Sequence, residues 1–211
     1  MHLAQKFEKG VHWKGSDDWH PDKRARATIS LEACRLVLHL GLERFARVHT
    51  VTVVPSSWSE AEGLIAGWAF ADSVKIAWDM ARFSVRRPSD GYNVVYHEFA
   101  HVLDFQDGTS DGMPRLRERR DRSGWLRRFA DGLREVRRVL RRREPSALRD
   151  YGGTDPAEFF AVCTESFFER PRALRAQQPK LYVALARFYH QDPAGGGQRR
   201  ARRAWKEATG A

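Results

Sequence analysis

Three features are scarce in this sequence of 211 residues, and each scarcity argues against a class of protein. Only two cysteines, Cys34 and Cys163, are present and they lie far apart, so we expect no disulfide framework and a reducing, cytoplasmic location. No run of about 18 uncharged apolar residues occurs, which argues against a membrane-spanning helix. The opening residues, MHLAQKFEKG, lack the apolar core of a signal peptide, so export by that route is not expected.

Lysine is also scarce, with 7 residues against 30 arginines, although the net charge is +10. Thirteen of the arginines and only four acidic residues fall within 115–143, so most of the net charge lies there. Apolar side chains recur at helical spacing within 123–143, at Trp125, Leu126, Phe129, Leu133, Val136 and Leu140. This pattern predicts an amphipathic helix with buried aromatic residues and solvent-facing arginines. We therefore predict no specific nucleic-acid binding, and no part for these arginines in a catalytic site.

The hydrophobic content of 42% is sufficient for one packed domain, which we place at residues 1–192. Apolar periodicity and β-branched runs predict an α+β fold with a small sheet. The predicted helices span 26–47, 92–105, 123–143 and 155–169, and the predicted strands span 48–54 and 73–78. Glycine and arginine dominate after Asp192, so we predict a flexible basic tail at 193–211.

The predicted helix 92–105 contains an H-E-x-x-H motif, formed by His97, Glu98 and His101. Residues four apart lie on one face of a helix, so both imidazoles can bind one metal ion. Glu98 is displaced from His97 by about 100° around the helix, beside the metal rather than on it. From there it could take a proton from an attacking water molecule and pass it to a leaving amine. The alternative is a pair of core histidines that are satisfied by hydrogen bonds.

A catalytic zinc ion usually has three protein ligands, and three acidic residues could complete this site. Asp107 lies six residues after His101, but Asp104 occupies the position where that arrangement needs a glycine. Glu158 and Glu165 both lie on the predicted helix 155–169; Glu158 could instead form a capping box with Asp155, and Glu165 could be a surface acid. Asp104 shares the helix face of the two histidines, so it could orient an imidazole, or it could bond to nearby backbone or an arginine.

Two segments carry a family resemblance: NVVYHEFAHVLDFQDG at 93–108 and YGGTDPAEFFAVCTESFFE at 151–169. With the helix and strands upstream, they resemble the Mlc titration factor A family of zinc-dependent peptidases over about residues 5–190. They are also similar to the catalytic domain of anthrax lethal factor. The resemblance implies a zincin-like metallopeptidase domain with one zinc ion per chain, bound by His97, His101 and Glu158. It implies that Tyr151 stabilises the oxyanion and that Glu165 supports the site.

The same resemblance implies an aminopeptidase-like zinc metallopeptidase that acts on peptides or proteins in the cytoplasm and has a regulatory role. The alternative is a cytosolic protein that sequesters a transcriptional repressor and has little catalytic activity. Two positions depart from the family pattern: AGWAF at 66–70 has no acidic residue before Trp68, and Tyr92 replaces a usual histidine. We also expect the strand 73–78 to be a sheet edge that pairs with extended substrate.

Overall fold

The computed structural model describes residues 1–16, 18–60, 63–70, 72–116 and 122–195. The helices are α1 (His2–Gly10), α2 (Lys23–Leu36), α3 (Trp78–Arg86), α4 (Val94–Asp104), α5 (Arg122–Arg142), α6 (Pro156–Glu169), α7 (Pro171–Gln177) and α8 (Pro179–Tyr189). The strands are β1 (His12–Lys14), β2 (Thr50–Val54), β3 (Trp58–Glu60), β4 (Gly63–Ile65), β5 (Gly67–Ala69) and β6 (Ser73–Ala77). Short 3-10 turns lie at Leu42–Phe45, Phe105–Asp107, Asp150–Gly153 and Pro193–Gly195.

A four-stranded mixed sheet has the order β1-β2-β6-β5. The first three strands are parallel, and β5 runs antiparallel to β6, while β3 and β4 form a separate hairpin. The mixed sheet and the helices agree with the predicted α+β class. The expectation that strand 73–78 forms an edge is wrong, because β6 lies between β2 and β5. Alternating polar and apolar residues report which face of a sheet is exposed, and they carry no information about its edges.

Helix α4 lies at the centre of the domain, where it packs against α2, α6 and the strands β5 and β6. Asn93 caps the N-terminus of α4. Its side-chain oxygen accepts hydrogen bonds from the backbone N–H groups of Val95 and Tyr96, both at 3.1 Å. Nine of the 11 residues of α4 are buried; only His97 and His101 remain partly open. The apolar character of the segment therefore fixes the helix, and the two histidines lie along its one open stripe.

Several boundaries differ from the predicted ones. The helix predicted over 26–47 ends at Leu36, and Gly41, which has a positive φ of 92°, then turns the chain into the 3-10 turn at Leu42–Phe45. Trp78 begins α3 rather than ending a strand. Helices α7 and α8 were not predicted, although each has a proline at its start, where proline is favoured. The helices predicted at 92–105, 123–143 and 155–169 are present as α4, α5 and α6.

The predicted basic tail begins with residues that the domain still holds. Residues 193–195 form a 3-10 turn in which Ala194 is buried and donates its backbone N–H to the Tyr182 hydroxyl at 2.9 Å. Residues 196–211 of the predicted tail lie outside the described residues. Among the described residues, none of the helices combines the length and the hydropathy needed to cross a bilayer.

The cap of α4 should contribute more to stability than an exposed cap. Asn93 also donates a hydrogen bond from its side-chain nitrogen to the buried Glu32 carboxylate at 3.0 Å. We expect Asn93→Ala to lower the free energy of unfolding by about 2–3 kcal/mol, because it removes a cap and leaves buried groups unpaired. Asp22→Ala, which removes the exposed cap of α2, should cost only about 1 kcal/mol. Urea denaturation measures both, and equal losses would contradict this account.

Candidate metal centre

His97 and His101 lie one turn apart on α4, and their ring nitrogens point to a common place. The two Nε2 atoms are 3.2 Å apart. Helix α6, which packs against α4, brings Glu158 to the same place from its first turn. The Glu158 carboxylate oxygens lie 3.0 Å from His97 Nε2 and 3.4 Å from His101 Nε2. The structure thus brings together the three residues that the family resemblance implies as ligands, and their donor atoms lie within 4.8 Å of one another.

These distances suit a tetrahedral metal ion. Zinc bonds of about 2.0–2.1 Å to nitrogen and oxygen give ligand-to-ligand edges of about 3.3 Å in a tetrahedron. The Glu158 Oε2 atom is buried and has no hydrogen-bond partner among the described residues, as expected for an oxygen that faces a cation. Two imidazoles and a carboxylate form a common catalytic zinc set that leaves one coordination position open. The residues present therefore fit the metal that the sequence implies.

The capping box that could have explained Glu158 has only its first hydrogen bond, from the Glu158 backbone to Asp155. Asp155 accepts a hydrogen bond from the Glu158 backbone N–H at 3.0 Å and so caps α6. The Glu158 side chain extends towards the imidazoles. The cap and the candidate ligand are therefore different side chains, and each can be changed without removing the other.

Electrostatics at this place favour positive charge. Burial lowers the pKa of His97, but its contacts with Glu158 and Glu165 outweigh burial and raise the pKa to about 10. Burial alone would raise the pKa of Glu158, but the contacts with His101 and His97 hold it well below its usual range. The carboxylates of Glu158 and Glu165, which both contact His97, therefore stabilise a proton or a cation at this site.

Glu165 is a support for His97 rather than a ligand at the convergence point. Its fully buried carboxylate accepts a hydrogen bond from His97 Nδ1 at 2.8 Å and another from the Asn93 backbone N–H at 2.7 Å, and it forms an ion pair with Arg149. When Nδ1–H donates to Glu165, the neutral His97 ring carries its lone pair on Nε2, where a metal ion could bind in place of a second proton.

The remaining acidic candidates lie elsewhere. Asp107 accepts hydrogen bonds from the backbone N–H and the hydroxyl of Thr109, at 3.1 and 2.7 Å, on the exposed turn after α4. Asp104 is buried, and its carboxylate accepts the backbone N–H of Gly112 at 2.9 Å. Of the two roles open to Asp104, backbone bonding is the one present; it closes the loop that follows α4.

Glu98 occupies a separate position from the three convergent donors. It lies between α4 and the edge strand β5, where a Cβ atom on Gly67 would clash with its carboxylate. Burial raises the pKa of Glu98 to about 7, more than the nearby histidines lower it. A carboxyl group with a pKa near neutrality can both accept and release a proton in one reaction cycle. Sequence reasoning did not find the part that Gly67 plays here, because the contact joins distant segments.

Tyr151 lies on the open side of the centre. Its side chain is half exposed, and its ring centroid is 6.0 Å from that of His97. The 3-10 turn that carries it is fixed from α5, where Arg137 donates hydrogen bonds to the carbonyl oxygens of Gly153 and Thr154 at 2.8 and 3.0 Å. The arginines of α5 were expected to have no part in the site, and the sequence did not predict this contact of Arg137 with the turn that carries Tyr151. No local sequence signal pairs residues on separate elements in this way.

The other features of α5 largely follow the prediction. Trp125, Phe129 and Val136 are buried, whereas Leu126, which the pattern placed on the apolar face, is exposed. Arg134 and Arg138 pair with acidic residues of the same helix, three positions earlier. Two of the eight arginines of α5 are thus paired within the helix itself.

Comparisons with known proteins agree on one family. The family model of glucose-regulated metallo-peptidase M90 matches residues 1–190. Uncharacterized protein slr2042 of Synechocystis sp. is 33% identical over 204 residues, which cover 90% of this chain and 74% of that protein. Mlc titration factor A of Salmonella paratyphi B and that of Salmonella typhi are each 27% identical over 208 residues, which cover 91% of this chain and 78% of theirs.

The role of Glu165 can be measured through zinc affinity. We expect Glu165→Ala to weaken zinc binding by about 10- to 100-fold, because His97 loses the acceptor that orients its ring. Asp107→Ala removes an acid of the exposed turn and should leave affinity unchanged. Competition with a chelating dye measures both constants. Unaltered zinc affinity in Glu165→Ala would show that His97 needs no such support.

Proposed function

Because the chain belongs to the glucose-regulated metallo-peptidase M90 family, we propose that it hydrolyses peptide bonds with one zinc ion held by His97, His101 and Glu158. The observation that carries this proposal is the convergence of three donor atoms from two helices, at 3.0–3.4 Å from one another. Two imidazoles and a carboxylate so arranged on buried helices need a partner, since their burial alone is unfavourable.

Each group near the centre then has a part in hydrolysis. Zinc bound there would polarise the scissile carbonyl and activate water. Glu98, beside the centre with a pKa raised to about 7, takes the proton of the attacking water and delivers it to the departing amine. The Tyr151 hydroxyl, on the open side, donates a hydrogen bond to the oxyanion. Glu165 holds the His97 ring in place throughout.

We further propose aminopeptidase-like action on peptides or proteins in the cytoplasm, with a regulatory role, as the family resemblance implies. A second candidate is a binding protein that sequesters a transcriptional repressor and has little catalytic activity. It is supported by the relatives named Mlc titration factor A. The complete set of candidate metal ligands, proton acceptor and oxyanion donor favours hydrolysis, because sequestration alone would not need it.

The metal site makes a direct prediction: the purified protein contains one zinc ion per chain, and Glu158→Ala loses most of it because a ligand is gone. Asp155→Ala is the matched control. It removes the cap of the same helix, at a cost of about 1 kcal/mol, but keeps the candidate ligand. Elemental analysis measures zinc content, and thermal unfolding reports stability. Normal zinc content in Glu158→Ala, or no zinc uptake by the wild type, would overturn the assignment.

The proton-transfer role predicts a separation of binding from turnover. Glu98→Gln keeps the size of the side chain but cannot accept a proton. We expect it to retain zinc and to lower peptide hydrolysis by about 100- to 10,000-fold. Zinc content and the hydrolysis of a mixed peptide library are measured on one preparation. Loss of zinc would show that Glu98 is a ligand, and retained hydrolysis would show that another group accepts the proton.

A further inference from the structure

The free edge of the mixed sheet lies beside the candidate metal centre. Within the part of the chain that the structure describes, strand β5 pairs in that sheet with β6 alone, through Gly67 opposite Ile76 and Trp68 opposite Lys75. Gly67 faces inwards, against Glu98. Trp68, one residue further, therefore faces outwards, because successive side chains of a strand point to opposite faces.

Two large aromatic side chains are exposed at this edge. Trp68 is 53% and Phe70 43% exposed, and their rings are in edge-to-face contact with each other. Side chains of this size usually dominate a core or an interface, and an exposed pair is therefore informative. The two aromatic side chains are not part of the hydrophobic core, to which the same sheet contributes the buried residues Val74 and Ile76.

The distance from this pair to the proposed chemistry is short. At about 3.3 Å per residue, Phe70 lies about 10 Å along the strand from Gly67, and Trp68 lies closer. An extended peptide that adds to the free edge of β5 would form main-chain hydrogen bonds with it. A peptide bond beside Gly67 would then lie near Glu98, and an outward side chain within three residues of that bond would reach the aromatic pair.

We propose that Trp68 and Phe70 form a subsite for an aromatic or large aliphatic side chain of an extended peptide substrate. This inference rests on the proposed function and adds a substrate class to it: peptides with such a residue within three positions of the cleaved bond. The occupant is a peptide strand because the pair is continuous with the candidate centre through Gly67.

The test compares matched peptides on the zinc-loaded full chain. A peptide cleaved from a mixed library is remade with Phe or Ser at each position that it has within three residues of the cleaved bond. We expect the wild type to prefer Phe at one position by about tenfold in kcat/KM, from ring stacking and burial. The double variant Trp68→Ser, Phe70→Ser should reduce that preference to about twofold or less, through KM rather than kcat.

The control variant removes two equally exposed apolar side chains outside the sheet. Leu126 on α5 and Val183 on α8 are 48% and 45% exposed, and Leu126→Ser with Val183→Ser should keep the full preference. Calorimetric binding of the Phe peptide to the inert Glu98→Gln protein, with and without the two β5 changes, gives a second readout. We expect the dissociation constant to rise about tenfold when the aromatic pair is removed.

The outcomes separate this proposal from the function on which it rests. If the wild type neither cleaves nor binds any peptide, both proposals fail. If it cleaves peptides and the double variant keeps the same preference, the subsite is overturned and the peptidase function stands. If the double variant instead converts a dimer to a monomer in size-exclusion chromatography with its preference intact, the aromatic pair is an interface between copies and the subsite is wrong.

Discussion

The geometry of the centre depends on the burial of one carboxylate, that of Glu165. A buried charge is tolerated only when donors replace the water that it has lost. Glu165 obtains them from the His97 ring, from the backbone at Asn93 and from the guanidinium of Arg149. Those three donors come from the middle of α4, from its beginning and from the segment that leads to Tyr151. One carboxylate on α6 therefore fixes both α4, which carries the two candidate histidine ligands, and the segment that leads to Tyr151.

Further contacts extend this arrangement outwards. The Arg149 guanidinium also lies over the Tyr92 ring, at 4.7 Å from its centroid, so the residue that departs from the family pattern supports the same ion pair. On the far side, Arg137 binds the carbonyl oxygens that follow Tyr151. The segment around Tyr151 is thus held from α5 and from α6, which keeps a half-exposed side chain at a defined place beside the centre.

The sequence was sufficient for the parts of this site that a single helix encodes. Helical periodicity placed His97 and His101 on one face and moved Glu98 aside, and the structure has the motif in a helix, Val94–Asp104, that lies within the predicted range 92–105. The choice among Asp107, Glu158 and Glu165 came from the family resemblance, because local spacing left all three open. The packing of α4 against α6 places Glu158 and Glu165 at different sides of the His97 ring. No local sequence pattern predicts that packing. The edge position of β5 and the contact of Arg137 were missed for the same reason: both depend on residues that are distant in sequence.

The glycine at position 67 determines which residues of this cleft can be changed. Any larger residue there would push Glu98 from its place, so position 67, on the inward face of the edge strand, is closed to change. The outward positions 68 and 70 are 53% and 43% exposed and are free to differ in size and polarity. Redesign of peptide preference would therefore begin at alternate residues of one short strand, with the chemistry on one face untouched by what is altered on the other.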